Sequence, residues 1–342
     1  MEICHAIVSV PSEYGNEREL ADLVERFCRR ITDRVERIGD AVVARIGHPG
    51  EAVALVGHLD TVPNWPGGTV ELEEDRIVGR GTADMKGGVA VMLSLLERLG
   101  QAEQPIVFVF YDREEGPNAD NGIHEVLRRS ALIGRPVYAV VLEPTSNTMH
   151  VGAVGTMNAD VVIRGRAAHA ARPWEGENAI ELAASVLQRL AGRTPVPVEI
   201  DGLLYHDTMT VTMAEGGLAR NIVPERFTLG VNVRVAPSRT NADARAELED
   251  LVGTDGEVIW LDDSPPARPM VSTPAIQHFL ALTGLEVRPK QAWTDVATLQ
   301  ASGIPAFNLG PGDPQQAHVS GEHVTVAALR RCEEILFGVL TT

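Results

Sequence analysis

Residues 53–88 read VALVGHLDTVPNWPGGTVELEEDRIVGRGTADMKGG, and this stretch decides the fold. Its opening residues are apolar and partly β-branched, which suits a buried strand running to His58. Residues two apart on a strand share a face, so His58 and Asp60 at its carboxyl edge are placed to bind a metal, the carboxylate fixing which ring nitrogen is free. The second half sets Asp84 in a glycine-rich turn, GRGTADMKGG, ahead of the amphipathic run VAVMLSLLERL, which reads as a helix. Each piece alone is ambiguous: a His-x-Asp pair occurs in surface loops, and such a turn can cradle a phosphate. The deciding question is whether matching side chains recur at later strand ends.

They do recur. IVFVFY at Ile106–Tyr111 reads as a strand ending in Asp112, Arg113, Glu114 and Glu115, and PVYAVVLEPT as another ending at Glu143. PAFNL with the turn GPGDP is a third, followed by His318. Helices are predicted over 17–30, 121–129, 274–282 and 325–339, and 42–46 with 53–56 read as paired strands across GHPGE. Strands separated by helices give an α/β domain with a mostly parallel sheet, in which ligands gather at the carboxyl ends of strands.

His58, Asp84, Glu115, Glu143 and His318 suit two Zn²⁺ ions per subunit, with Co²⁺ as a substitute, if Asp84 bridges them. Each ion then has one histidine, one terminal carboxylate and half of Asp84. Four positive charges against three carboxylates and one hydroxide leave the centre nearly neutral, and such ions lower the pKa of water from about 15.7 toward about 7. Glu114, beside Glu115 but pointing elsewhere, is the expected general base.

The texture changes after Val151. Strand patterns and two helices in the order β-α-β-β-α-β predict a ferredoxin-like α+β unit inserted at 155–263, between catalytic segments 1–154 and 264–342. A formal charge of −17 disfavours nucleic acid and anionic membranes as partners. Three scattered cysteines, with no leader-like N-terminus and no apolar run long enough to span a bilayer, lead to the expectation of a cytoplasmic protein.

GHLDTVP, GRGTADMKGG, DREEG, LEPT, RGRAAHAARPWEGENAI, RNIVPERF and AHVSGEHV, in that order, resemble the M20 family of di-zinc amidohydrolases and aminoacylases over nearly the whole chain. The resemblance implies a di-zinc catalytic domain with an inserted lid that also forms a homodimer. It implies the same five metal ligands, Asp60 orienting His58, Glu114 as base, and a cis peptide between Asp84 and Met85. It also implies that His169 reaches a partner's site to stabilise an oxyanion. The expected substrate is a small N-acyl amino acid, and ARPWEGENAI, TDVATL and GIPAFNLGPGDPQQAH are most like the family's desuccinylases. Other aminoacylases or dipeptidases, or an inactive metal-binding homologue, are the alternatives. A dianionic substrate needs cationic forks, so Arg172, Asn178, Arg220, Asn221 and Arg234 are substrate-binding candidates, with Arg220, Asn221 and Arg234 foremost. Thr294 and Asp295 are expected at the amine end of the substrate, and Gly310 in a turn that lets it approach the backbone.

Overall fold

The computed structural model describes residues 1–342. They form two compact units, Met1–Val151 with Met270–Arg288 and Thr294–Thr342, and Gly152–Pro269 with Pro289–Trp293. The second unit starts before residue 155 and runs past 263 because Ala153 pairs with Ala267, closing its base.

The first unit is built on an 8-stranded sheet in the order Val35–Ile38, Ala41–Ile46, Ile106–Tyr111, Val53–His58, Tyr138–Val141, Ala306–Asn308, Met149–Val151, Val287–Pro289. The central strands from Ile106–Tyr111 to Ala306–Asn308 are mutually parallel and buried along their length. Covered on both faces, they read as continuous apolar runs rather than alternating ones. Because they run the same way, their carboxyl ends meet at one edge, and the candidate ligands come just after those ends.

The hairpin predicted from 42–46 and 53–56 does not form. Ile106–Tyr111 lies between the two, antiparallel to Ala41–Ile46 and parallel to Val53–His58. Strands this buried need a neighbour on each edge to satisfy their backbone groups. Val35–Ile38 serves as the outer partner of Ala41–Ile46.

The expected helices are present as Arg18–Arg29, Ile123–Arg129, Pro274–Thr283 and Val326–Leu340. The helix after the glycine-rich turn, Gly87–Leu99, is buried nearly all round and packs against Glu2–Val8 and Val326–Leu340. The Asp84–Met85 peptide is cis. No helix is long and apolar enough to cross a membrane, and Cys4, Cys28 and Cys332 are buried free thiols.

The second unit has the expected ferredoxin-like path. Its sheet runs Val196–Ile200, Leu203–Gly216, Arg226–Val235, Gly155–Arg164, Glu257–Ser264, antiparallel throughout. Helices Ala179–Gly192 and Asn241–Val252 pack on Met157, Ala159, Val161, Leu229, Val231 and Val233. The edge strand Val196–Ile200 is an addition, turned back at Asp201–Gly202, both with positive φ. Such an Asp-Gly pair is a strong hairpin signal.

Glycine placement gives a test of the packing. A Cβ on Gly88 would lie 2.3 Å from the Leu142 carbonyl oxygen, whereas one on Gly338, in the last helix, meets nothing within 4 Å. Gly88→Ala should therefore lower stability by about 1–3 kcal/mol, and Gly338→Ala should raise it by up to about 1 kcal/mol. Urea unfolding of both variants checks the pair, and equal effects would contradict this packing.

Candidate active site

Asp84 stands at the centre of the cluster. Its Oδ1 lies 3.3 Å from His58 Nε2, which is also 3.7 Å from Glu143 Oε1. Its Oδ2 lies 3.4 Å from His318 Nε2, which is 3.1 Å from Glu115 Oε1. The two triads His58–Asp84–Glu143 and Asp84–Glu115–His318 each bring their ligand atoms within 4.8 Å of one another, and a third, His58–Glu114–Glu115, overlaps them. Ligands about 2.0–2.1 Å from a tetrahedral ion are separated by about 3.3 Å, so the first two triads fit a pair of Zn²⁺-like ions sharing Asp84.

Local structure explains how each donor is aimed. His58 Nδ1 lies 3.0 Å from the backbone oxygen of Asp60 and 3.5 Å from its carboxylate. With Nδ1–H turned that way, Nε2 presents its lone pair toward Asp84 and Glu143. The shorter bonds of the Asp60 carboxylate go elsewhere: it accepts the Glu114 and Glu115 amides at 3.0 and 2.8 Å. Those consecutive amides face it because Arg113, just before them, is left-handed at φ 61°. On the Asp84 side Glu322 does the matching job, accepting the Ala83 and Asp84 amides at 2.9 and 3.0 Å and pairing with Arg80 at 2.9 Å. The Glu143 loop is tied down by Ser146 and Asn147, whose amides donate to Gly312 and Gly310.

The electrostatics are set by burial and crowding. Burial works to neutralise His58, yet hydrogen bonds to Asp60 and Asp84 and the charge of Glu114 hold its pKa well above the usual value. His318 is lifted to about 10 by hydrogen bonds to Asp84 and Glu115. Burial pushes Glu114 well up, helped by Glu143 and Glu115 and opposed by His58. Burial lowers Lys86 to about 8, and its Nζ donates to the Val10 carbonyl at 2.8 Å.

Other expected site residues are placed differently. Thr294 and Asp295 are 1% and 0% exposed, closed off rather than lining an open surface. Asp295 instead accepts from Tyr111 Oη and Asn121 Nδ2, each at 2.7 Å. Gly310 is held by packing: a Cβ there would meet the Leu142 and Glu143 carbonyl oxygens at 2.3 and 2.4 Å. In the second unit, Asn178 caps helix Ala179–Gly192 by accepting the Ile180 amide at 3.0 Å. His169 and Asn221 come together there, since His169 pairs with Ile222 and Ala170 donates to the Asn221 carbonyl at 2.9 Å. The His169 ring accepts the Ala171 amide at Nδ1, which leaves the neutral ring's proton on Nε2. Arg172 and Arg220 are exposed, while Arg234 is half-buried and donates to Asn232 at 2.9 Å. Sequence reasoning misses Glu322 and Lys86, although both lie inside motifs it singles out; a carboxylate four residues beyond His318 is the signal that could have found the first.

An α/β unit gathering histidines and carboxylates at the ends of parallel strands, with a ferredoxin-like insert, defines a metallohydrolase. The chain belongs to peptidase family M20/M25/M40, whose model matches residues 54–342. It is 36% identical over 98% of its length, and 96% of the relative's, to the provisionally named succinyl-diaminopimelate desuccinylase of Mycobacterium tuberculosis. It is 30% identical to the succinyl-diaminopimelate desuccinylase of Corynebacterium glutamicum, covering 96% of this chain and 93% of that one. Among solved structures, a Staphylococcus aureus tripeptidase superposes with TM-score 0.82 at 21% identity, over 99% of this chain and 96% of its own. A dinuclear metal-binding M20 peptidase of Bacillus subtilis gives 0.72 at 14% identity, over 99% and 96%.

Metal binding has a pH signature. A histidine ligates only as the free base, and hydrogen bonds to Asp84 and Glu115 lift His318 to about 10, so a metal taken up by His318 at pH 7–8 must displace its proton. Zn²⁺ binding should release at least one proton per chain and weaken as pH falls, by about tenfold per unit for each proton displaced. Calorimetry in buffers of different ionisation heat reads this directly; no proton release at pH 7–8 would count against His318 as a ligand.

Proposed function

We propose that this chain hydrolyses the amide of an N-acyl amino acid, with N-succinyl-L,L-2,6-diaminopimelate as substrate and succinate and L,L-2,6-diaminopimelate as products. The carrying observation is the 36% identity to a desuccinylase-named relative across 98% of the chain, spanning every residue of the cluster. In this reading His58, Asp84 and Glu143 hold one Zn²⁺, and Asp84, Glu115 and His318 the other. When bound, such ions polarise the scissile carbonyl and make water a better nucleophile at neutral pH. Asp60 holds His58 and the Glu114–Glu115 turn in place.

Glu114 takes a proton from the attacking water and delivers it to the leaving nitrogen as the C–N bond breaks. Burial raises its pKa, which favours the protonated form from which it donates to the leaving nitrogen. The second unit serves as lid and dimer interface: His169 donates from Nε2 to the carbonyl oxygen as it gains charge, in the site of a partner subunit. Arg220, Asn221 and Arg234 bind the substrate carboxylates. The compartment proposed is the cytoplasm.

Assays of zinc-loaded protein on succinyl-diaminopimelate, acetylornithine and dipeptides at equal concentration test the substrate, and highest kcat/KM on either of the latter would overturn it. Glu114→Gln should keep its metal and lose about 10²–10⁴ in turnover. Near-normal turnover with full metal would remove Glu114 as the base.

The lid assignment has its own measurement. Mixing inactive His169→Ala and Glu114→Gln subunits under exchange should restore activity, since a mixed dimer holds one complete site. Proven exchange without recovery would confine His169 to its own chain or to no catalytic role.

A further inference from the structure

We propose that Glu322 is the positioning residue of the metal centre, its carboxylate fixing the turn that aims Asp84 at both His58 and His318. The inference rests on reading the cluster as a two-ion site. Asp84 can serve two ions only if its oxygens stay 3.3 and 3.4 Å from the two histidines, and its short side chain passes any backbone shift directly to them.

The turn cannot hold that position by itself. Asp84 and Met85 have non-helical backbone angles, φ −122° ψ 97° and φ −130° ψ 30°, so regular helical bonding is interrupted there. Glu322 supplies the acceptor for the Ala83 and Asp84 amides through one oxygen, while its other oxygen meets Arg80 Nη1 at 2.9 Å. It is 0% exposed, and a buried carboxylate of that kind is retained only where donors satisfy it. The same residue also registers the histidine. Its backbone oxygen accepts the Gly79 amide at 2.8 Å, and the adjoining strand His323–Thr325 pairs with Arg76–Val78. Arg80 reaches back to the Val319 carbonyl, next to His318. One residue thus ties the two segments together, its side chain holding the Asp84 turn and Arg80, and its backbone joining the strand that follows His318 to Arg76–Gly79.

Glu322→Gln keeps the shape and one acceptor oxygen but turns an amide NH₂ toward Arg80, loosening the clamp without leaving a cavity. The experiment uses metal-free full-length protein titrated with Co²⁺, read by visible absorption and by competition with a chromophoric chelator, so activity is not the readout. Wild type should take two ions. Glu322→Gln should fold and bind the more weakly held ion about 10–100-fold less tightly, with a changed Co²⁺ spectrum, as expected when a partner that orients ligands is lost. Glu322→Asp, which keeps the charge, should recover part of the affinity. Glu333→Gln, removing a carboxylate that accepts from Ser94 and Arg98, should match wild type. Wild type taking fewer than two ions would defeat the two-ion reading itself. Two ions in wild type, with unchanged affinities and spectrum in Glu322→Gln, would overturn the role of Glu322 alone. A Gln variant that stays unfolded with metal supplied would also overturn it, because the carboxylate would then be holding the fold rather than the turn.

Discussion

Crowding of negative charge at one sheet edge is the constraint on which the rest of this structure depends. Asp60, Asp84, Glu114, Glu115 and Glu143 all come near His58. Two like charges 4 Å apart repel by about 4 kcal/mol at an effective dielectric of 20, so the arrangement survives only where each carboxylate has a counterweight. The protein uses three. Histidines stand between carboxylate pairs, backbone amides point at Asp60, and half-buried Arg80 and buried Lys86 lie behind the turn. Bound metal would supply the remaining positive charge.

The fold answers that constraint by topology. A parallel core sends successive strand ends to one edge, so residues far apart in sequence converge without long loops. Each strand then leads into a short turn whose backbone is set by a few unusual residues. Arg113 and His318 both adopt positive φ, at 61° and 64°, a conformation that costs a non-glycine residue energy and is kept where the surroundings dictate it. Gly310 and Gly312 let another turn lie directly on the carbonyls of Glu143 and Ala83, closer than any side chain would permit. Site geometry is in this sense set by close backbone contacts more than by the ligands' own flexibility.

That distinction explains what could be read from the sequence. Strands, long helices and the five metal-type side chains are legible because each carries a local signal: an apolar run, a helical period, a histidine or carboxylate after a strand, or, for Asp84, a glycine-rich turn before a helix. The partner of Ala41–Ile46 is not, since a buried apolar strand looks the same whichever neighbour it takes. The two- and three-residue strands Glu71–Leu72 and Arg76–Val78 are too short to have a period. Asp60 is subtler: its type and spacing suggest a partner for His58, while its shortest carboxylate bonds run to amides 54 and 55 residues away in sequence. A long-range acceptor of backbone N–H carries no local period, and for Glu322 the one signal is its place four residues beyond His318, which does not show that it accepts the Ala83 and Asp84 amides.

The second unit separates its arginines by the same physics. Arg172 is exposed, 3.7 Å from Glu175 on the surface, an arrangement expected of any solvated arginine. Arg234 sits at the end of a polar ladder across the sheet. Asp262 accepts from Asn158 at 2.7 Å, Asn158 from Asn232 at 2.8 Å, and Asn232 from Arg234 at 2.9 Å. Burial lowers the Arg234 pKa, opposed by the charge of Asp262, so its guanidinium has already lost water and is aimed by one fixed bond. A cation held this way gives up less conformational freedom when a carboxylate arrives, and meets it in a less screened setting than a surface arginine would. That physical difference, rather than proximity in sequence, ranks Arg234 above Arg172 as a carboxylate-binding candidate.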